Sequence, residues 1–204
     1  IIQKDSHRNI EFPFPNLTGT HQVINALTAI SALTHLNIPD KYICEGLKSA
    51  YWPARLQKIE NGSLYELITS YNIKNQLWVD GGHNEDASVQ LRNSMGFINK
   101  KHLHIIYGSL RNKDHNSFLR NLVGRASSLS VVHIKDQPSS LLQTVAVSTA
   151  KKVGWEKIYS AHNIRDAIQY ICSRNEGGES HASILICGSL YLAGQALEEN
   201  GVPI

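Results

Sequence analysis

The sequence predicts an α/β fold: a Rossmann-like, mainly parallel sheet with helices on both faces. Three observations carry this. After Pro53, short apolar runs alternate with segments of 3.6-residue period. Three of those runs, ending at Val79, Tyr107 and Cys187, pass directly or within one residue into glycine. The helical segments between runs are long enough to serve as crossovers between parallel strands.

Composition sets the bounds. At 204 residues the chain can bury roughly 70% of its unfolded surface, enough for one or two domains. Its 42% hydrophobic and 18% charged content is that of a globular protein. A net charge of +3 with ten histidines suits anionic small molecules. No Lys/Arg run or basic stripe interleaved with aromatics occurs, so no nucleic-acid partner is expected. No apolar run approaches the roughly 20 residues that span a bilayer, so no membrane partner and a cytoplasmic location are expected. Cys44, Cys172 and Cys187 are odd in number and widely spaced, which predicts buried free thiols. None of the ten histidines is paired as HxxxH or HxH with a carboxylate, which predicts no metal site. The only methionine is Met95, so Ile1 is not a translational start, and the chain is expected to be part of something longer.

In chain order, residues 1–17 read as an extended lead-in containing Pro13 and Pro15. From His21 to Leu36, the residues Val23, Ile24, Leu27, Ile30, Ala32 and Leu33 recur at helical spacing. Thr18 or Thr20 could cap the start of this helix, and Asn37 and Pro39 close its end. A second helix runs from Asp40, with Ile43, Leu47 and Ala50 on one face, and stops at Trp52-Pro53. That proline marks a boundary between a helical segment, residues 1–51, and the α/β domain, residues 52–204.

Beyond it, Leu56–Ile59 and Leu64–Ile68 flank Asn61-Gly62 and predict a hairpin. Strands are expected at 76–79, 103–107, 130–134, 157–159 and 183–187. Helices are expected at 85–98, 114–126, 139–152, 164–173 and 190–199. Asn175 to Ser180 reads as a solvent loop.

In a parallel sheet the three glycine-bearing strand ends share one edge, where ligands of open α/β sheets bind. The stretch Asp80-Gly81-Gly82-His83-Asn84 offers a carboxylate, a tight turn, an imidazole and a helix start, and is the expected centre of the site. Gly108-Ser109-Leu110 and Gly188-Ser189-Leu190 place a hydroxyl after each of the other strands, suited to a ligand or to capping the next helix. Lys113 would bring a flexible cation over this edge, and Asp114 would cap the following helix. Arg55 follows the domain boundary, where a guanidinium can grip phosphate oxygens or simply be solvated. His21 and Asn25 are adjacent on the first helix. No GxxxxGK[ST], GxGxxG or GxSxG motif occurs, so these residues hold no complete nucleotide loop of those kinds and no hydrolase elbow.

With these residues laid out, the chain resembles the folylpolyglutamate synthetase and dihydrofolate synthetase family of the ATP-dependent Mur ligase superfamily. The matching pieces fall in family order: Leu17-Thr18-Gly19-Thr20-His21-Gln22 with Asn25-Ala26, Trp52-Pro53-Ala54-Arg55-Leu56-Gln57, Asp80-Gly81-Gly82-His83-Asn84, Lys113-Asp114, and Gly188-Ser189-Leu190-Tyr191-Leu192. Ala54 stands where the family pattern commonly has glycine, and Gly82 where it commonly has alanine.

The resemblance implies that residues 1–51 are the C-terminal end of a central ATPase domain and residues 52–204 the C-terminal Rossmann-like domain. It implies ligation of L-glutamate to folate or dihydropteroate through an acyl phosphate, using ATP and Mg2+, with the phosphate loop and magnesium ligands outside this chain. By resemblance, Asn25 lies near adenine, Arg55 on the ATP phosphates and Asp80 on the ribose. His83 lies near the phosphates or the incoming amino acid, and Ser189 with Lys113 holds the glutamate carboxylates. His83 and Arg55 would support the chemistry. Two alternatives stay open: a non-catalytic remnant or module that binds a nucleotide or amino acid, and a superfamily ligase acting on a cell-wall peptide precursor.

Overall fold

The computed structural model describes residues 2–5, 8–17, 19–174 and 181–201, with backbone alone for 2–5, 8, 9 and 20. Its contacts divide the chain into two compact units, Ile1–Pro53 and Ala54–Ile204.

In the first unit, the expected lead-in is a paired ribbon: β1 (Ile2–Asp5) and β2 (Arg8–Glu11) run antiparallel with Ile2 opposite Glu11. Helix α1 (Thr20–His35) follows. Thr20, expected as a possible cap, is instead its first residue; the cap position is Gly19 with no side-chain bond, and Thr18 lies outside the described residues. Gln22, Ala26 and Ile30, four apart, form its buried line, while Ile24 and Leu27 are exposed. The helical period is as expected, but the buried stripe is rotated from the predicted one. Asn37 ends the helix in the left-handed region (φ 57), which asparagine tolerates better than most residues. Helix α2 (Asp40–Ser49) buries Ile43 and Leu47 against Phe12, Ala26 and Ile30.

The second unit is a six-stranded sheet. Its elements in order are β3 (Gln57–Ile59), α3 (Ser63–Tyr71), β4 (Gln76–Val79), α4 (Glu85–Ser94), β5 (Leu103–Tyr107), α5 (His115–Leu122), β6 (Ser128–Val131), α6 (Gln143–Val153), β7 (Ile158–Ser160), α7 (Ile164–Ser173), β8 (Ser183–Cys187) and α8 (Leu190–Glu199). The strand order is β3-β4-β8-β5-β6-β7, parallel throughout except for antiparallel β3 at one edge.

The chain steps outward from β4 to β7 with α4, α5 and α6 on one face. It then returns through α7 to insert β8 between β4 and β5, with α7, α8 and α3 on the other face. Reversing both direction and face keeps one crossover hand, as the rule for parallel units requires. Strand β8 is buried along its whole length: Ile184 and Ile186 join one core, Leu185 and Cys187 the other. Cys172 and Cys187 are buried free thiols, and Cys44 is half-buried.

One predicted element is overturned. Leu64–Ile68 is not the second arm of a hairpin but the interior of α3, and β3 pairs with β4 instead. The reason is tertiary. Asn200, just past α8, accepts hydrogen bonds on Oδ1 from the backbone N–H groups of Leu64 (3.0 Å) and Tyr65 (3.2 Å), and its carbonyl accepts one from Ser63 N–H. These satisfy α3's first-turn donors from more than 130 residues away. Leu64 and Ile68, four apart, then both face the core. The sixth strand begins two residues earlier than expected, and Val132 and Ile134 are buried beyond its end rather than in it.

Candidate functional site

The carboxyl ends of β4, β8 and β5 lie side by side, and backbone hydrogen bonds continue past the strands to lace them together. Asp80 N–H donates to Ile186 O (2.9 Å), Gly188 N–H to Gly82 O (3.0 Å) and Gly108 N–H to Cys187 O (3.3 Å). Gly188 takes φ +109, and a Cβ there would lie 2.6 Å from the Tyr107 ring and 2.8 Å from Gly108 O. Only glycine fits this approach.

Asp80 is the pin of the site. It is 8% exposed, and its two oxygens serve different segments: Oδ1 accepts from Gly82 N–H (2.7 Å), and Oδ2 from Leu56 N–H (2.7 Å). Gly81 N–H in turn donates to Ala54 O (2.8 Å). The 53–56 turn is therefore fastened on both sides of Arg55. Ala54 (φ 57) and Leu56 (φ 45) are both left-handed, uncommon for non-glycine residues and a form of stored strain. The positive φ at Ala54 explains physically why glycine suits that position. Arg55 sits on this turn rather than on a strand. Its guanidinium is exposed and makes no hydrogen bond or ion pair among the described residues.

Nδ1 of His83 lies 3.1 Å from Gly81 O. A carbonyl only accepts, so Nδ1 carries the hydrogen and the neutral ring keeps its lone pair on Nε2. Asn84 caps α4 through Ala87 N–H (2.9 Å).

On the β5 side, Asp114 caps α5, accepting from both N–H (3.1 Å) and Oγ–H (2.7 Å) of Ser117. Those bonds hold its carboxyl below the ordinary range. Ser109 is not a helix cap, because α5 begins six residues later. It is buried, and its carbonyl accepts from Leu141 N–H (2.7 Å). Lys113 is half-buried, and its ammonium has no partner among the described residues. Below the loop, the Tyr107 hydroxyl meets His115 Nδ1 at 3.0 Å. Burial pushes the phenol up and the imidazole down, so both are neutral near pH 7.

Ser189 is 3% exposed and caps α8, its Oγ accepting from Tyr191 N–H (3.1 Å). That leaves its own hydroxyl hydrogen to donate. Arg55, Asp80, His83, Lys113 and Ser189 all belong to the carboxyl edge of the second unit. Asn25 belongs to the first unit, exposed and donating to Gln22 Oε1 (3.1 Å). The anchoring of the Arg55 turn by Asp80 and the Tyr107–His115 pair were not foreseen. Contacts across 24 residues leave no mark on a sequence read by periodicity.

The carboxyl edge of the second unit's sheet thus carries a pinned turn with an unpaired guanidinium, an imidazole and a hydroxyl, groups whose chemistry suits anions. The fold is that of Mycobacterium tuberculosis folylpolyglutamate synthase complexed with ADP and AMPPCP: TM-score 0.77 at 22% identity, covering 93% of this chain and 42% of that one. The family described as dihydrofolate synthetase, C-terminal domain, matches residues 63–199, and the chain belongs to that family. It is 26% identical to the dihydrofolate synthase/folylpolyglutamate synthase of Bacillus subtilis (strain 168), over 86% of this chain and 38% of that protein. Against the folylpolyglutamate synthase of Lacticaseibacillus casei it is 25% identical, over 87% of this chain and 38% of that protein. The chain thus spans about two fifths of the length of the relatives it matches.

Among the described residues, no helix is long and apolar enough to cross a membrane.

Proposed function

We propose that this chain is the C-terminal portion of a cytoplasmic ATP-dependent ligase that joins L-glutamate to folate or dihydropteroate. Membership in the dihydrofolate synthetase C-terminal family supports the reaction class. The observation that carries the site is the double anchoring of the Arg55 turn by Asp80 and Gly81. It fixes the backbone on both sides of Arg55 before any ligand arrives, so the guanidinium is presented from a preset turn.

In the reaction class, ATP phosphorylates a carboxylate and the amine of glutamate attacks the acyl phosphate, giving an amide and inorganic phosphate. Such transfers depend on positioning and charge more than on covalent chemistry from the protein. Arg55 holds the transferring phosphate oxygens by its planar fork. His83, its tautomer set by Gly81 O, presents Nε2 to accept a proton from the incoming ammonium. Ser189 donates its hydroxyl to a glutamate carboxylate, and Lys113 supplies a cation for the same substrate. Asp80 serves this chemistry by holding the Arg55 turn. Mg2+, when bound, would supply charge neutralisation to the phosphates, and no group of His, Cys, Asp or Glu among the described residues is arranged to hold it.

The test is an assay of the complete enzyme for ADP release that requires both a folate substrate and L-glutamate, run beside a cell-wall peptide precursor with its amino acid. Release with folate and glutamate alone supports the proposal. Release only with the peptide precursor, or with neither, overturns it.

A further inference from the structure

The carboxyl edge is not the only concave surface of the sheet. At the opposite edge, where β5, β6 and β7 begin, a cavity of about 520 Å³ opens beside the end of α7. Its walls include His104 from β5, Ser128 from β6, Lys157 and Tyr159 at the head of β7, Tyr170 from the last turn of α7 and Arg174 just past its end.

These groups form an ordered set. The Tyr159 and Tyr170 rings stack with centroids 3.7 Å apart and 7° between planes. The Arg174 guanidinium carbon lies 4.8 Å from the centre of the Tyr170 ring, which holds the cation at the cavity by its π face. Lys157 supplies a second cation. Glu156 is the carboxylate of the lining, and neither cation pairs with it among the described residues.

His104 is 6% exposed, with Nδ1 2.8 Å from Ser128 Oγ. Burial, helped by electrostatic interaction with His102 and with the Lys157 ammonium, lowers its pKa to about 4, so at neutral pH it is an uncharged polar wall. An adjoining cavity of about 340 Å³ shares Ser127, Glu156 and Lys157 and brings Lys100 and Lys101 to the same edge.

A cation at the end of a helix can be explained by the helix alone, since the last carbonyls favour positive charge. That account covers Arg174 after α7. It does not cover Lys157, which sits on a loop before a strand, or a buried imidazole in the middle of the sheet where an aliphatic side chain would pack more cheaply.

We propose that this cavity is a second ligand site, taking a small organic oxyanion. Its carboxylate or phosphate group sits between Lys157 and Arg174, and its apolar part lies against the Tyr159–Tyr170 stack. The site is on the far edge of the sheet from the Arg55 turn, and the inference does not depend on the ligase reading.

The test uses the 204-residue chain with two probes, inorganic phosphate and glutarate, added separately. The readout is the His104 imidazole followed by NMR between about pH 4 and pH 8, where histidine titrates. A bound anion favours the imidazolium, so its midpoint should rise by about one unit. A K157A/R174A variant, which replaces two exposed side chains, should weaken binding about tenfold or more, as loss of charge-assisted hydrogen bonds does. A response to phosphate alone assigns a phosphate ester, to glutarate alone a carboxylate, and to both the wider oxyanion class. If neither probe moves the His104 midpoint, or if the double variant binds as tightly as the unaltered chain, the proposal fails.

Discussion

The two edges of one sheet solve opposite problems. At the carboxyl edge helices begin, and their unpaired N–H groups are met by acceptors: Asn84, Asp114, Asn163 and Ser189 each cap a helix, and Asp80 fastens two turns. At the amino edge helices end, and the groups that meet them are donors and cations. Arg92 donates to Asn121 O and Val123 O, Arg125 donates to Ile98 O, and Lys151 and Lys152 occupy the last turn of α6. Helix polarity thus sorts charge in space even though the net charge is small. What stands out on each edge is what helix polarity leaves unexplained. On one edge that is the unpaired Arg55 and Lys113, and on the other Lys157 and His104.

If the carboxyl edge is a rigid constellation, its backbone approaches should be least tolerant of change. Replacing Gly188 by Ala forces a Cβ into the Tyr107 ring at positive φ and should cost about 2–4 kcal/mol, measured by urea unfolding. Asp80→Ala strips acceptors from two buried N–H groups and should cost about 2–3 kcal/mol. It should also loosen the Arg55 turn, seen as faster amide exchange at Leu56 and Gly82. Arg55→Ala separates chemistry from stability. In the complete enzyme turnover should fall on the order of 100-fold, while unfolding free energy shifts by less than about 0.5 kcal/mol because the side chain is exposed. Unaltered turnover would remove Arg55 from the mechanism.

The amino edge should reveal itself through pH. His104 titrates near 4 in the fold and near 6.5 when unfolded, so between those values the unfolded chain binds more protons. Stability is therefore full above about pH 6.5 and declines as pH falls toward 4, by on the order of 3 kcal/mol in total. His104→Gln should flatten that dependence in unfolding curves taken across the window. The smallest effect is expected at the joint between α3 and α8: Asn200→Ala removes a cap supplied by a side chain and should cost about 1–2 kcal/mol.

Much of this was legible in the chain. Strands β4, β5 and β8 and helices α7 and α8 have the bounds that apolar runs and helical spacing predict, and Asp114 caps its helix as its position suggested. The solvent loop expected at 175–180 lies outside the described residues. Periodicity reports only neighbours along the chain, and so it misread residues 64–68 and rotated the buried stripe of α1.

By itself, the sequence determined the fold class, most elements of the second unit and the meeting of Asp80, Gly108 and Gly188 at one edge. Strand ends and crossover lengths are local properties, and parallel topology then brings the ends together. Tertiary structure alone decided that β8 lies between β4 and β5, that Asn200 makes a helix of residues 63–71, and that Asp80 is spent on fastening the Arg55 turn. Each of these depends on a hydrogen-bonding group finding its partner far along the chain. Only the folded backbone brings such partners within 3 Å or so of each other.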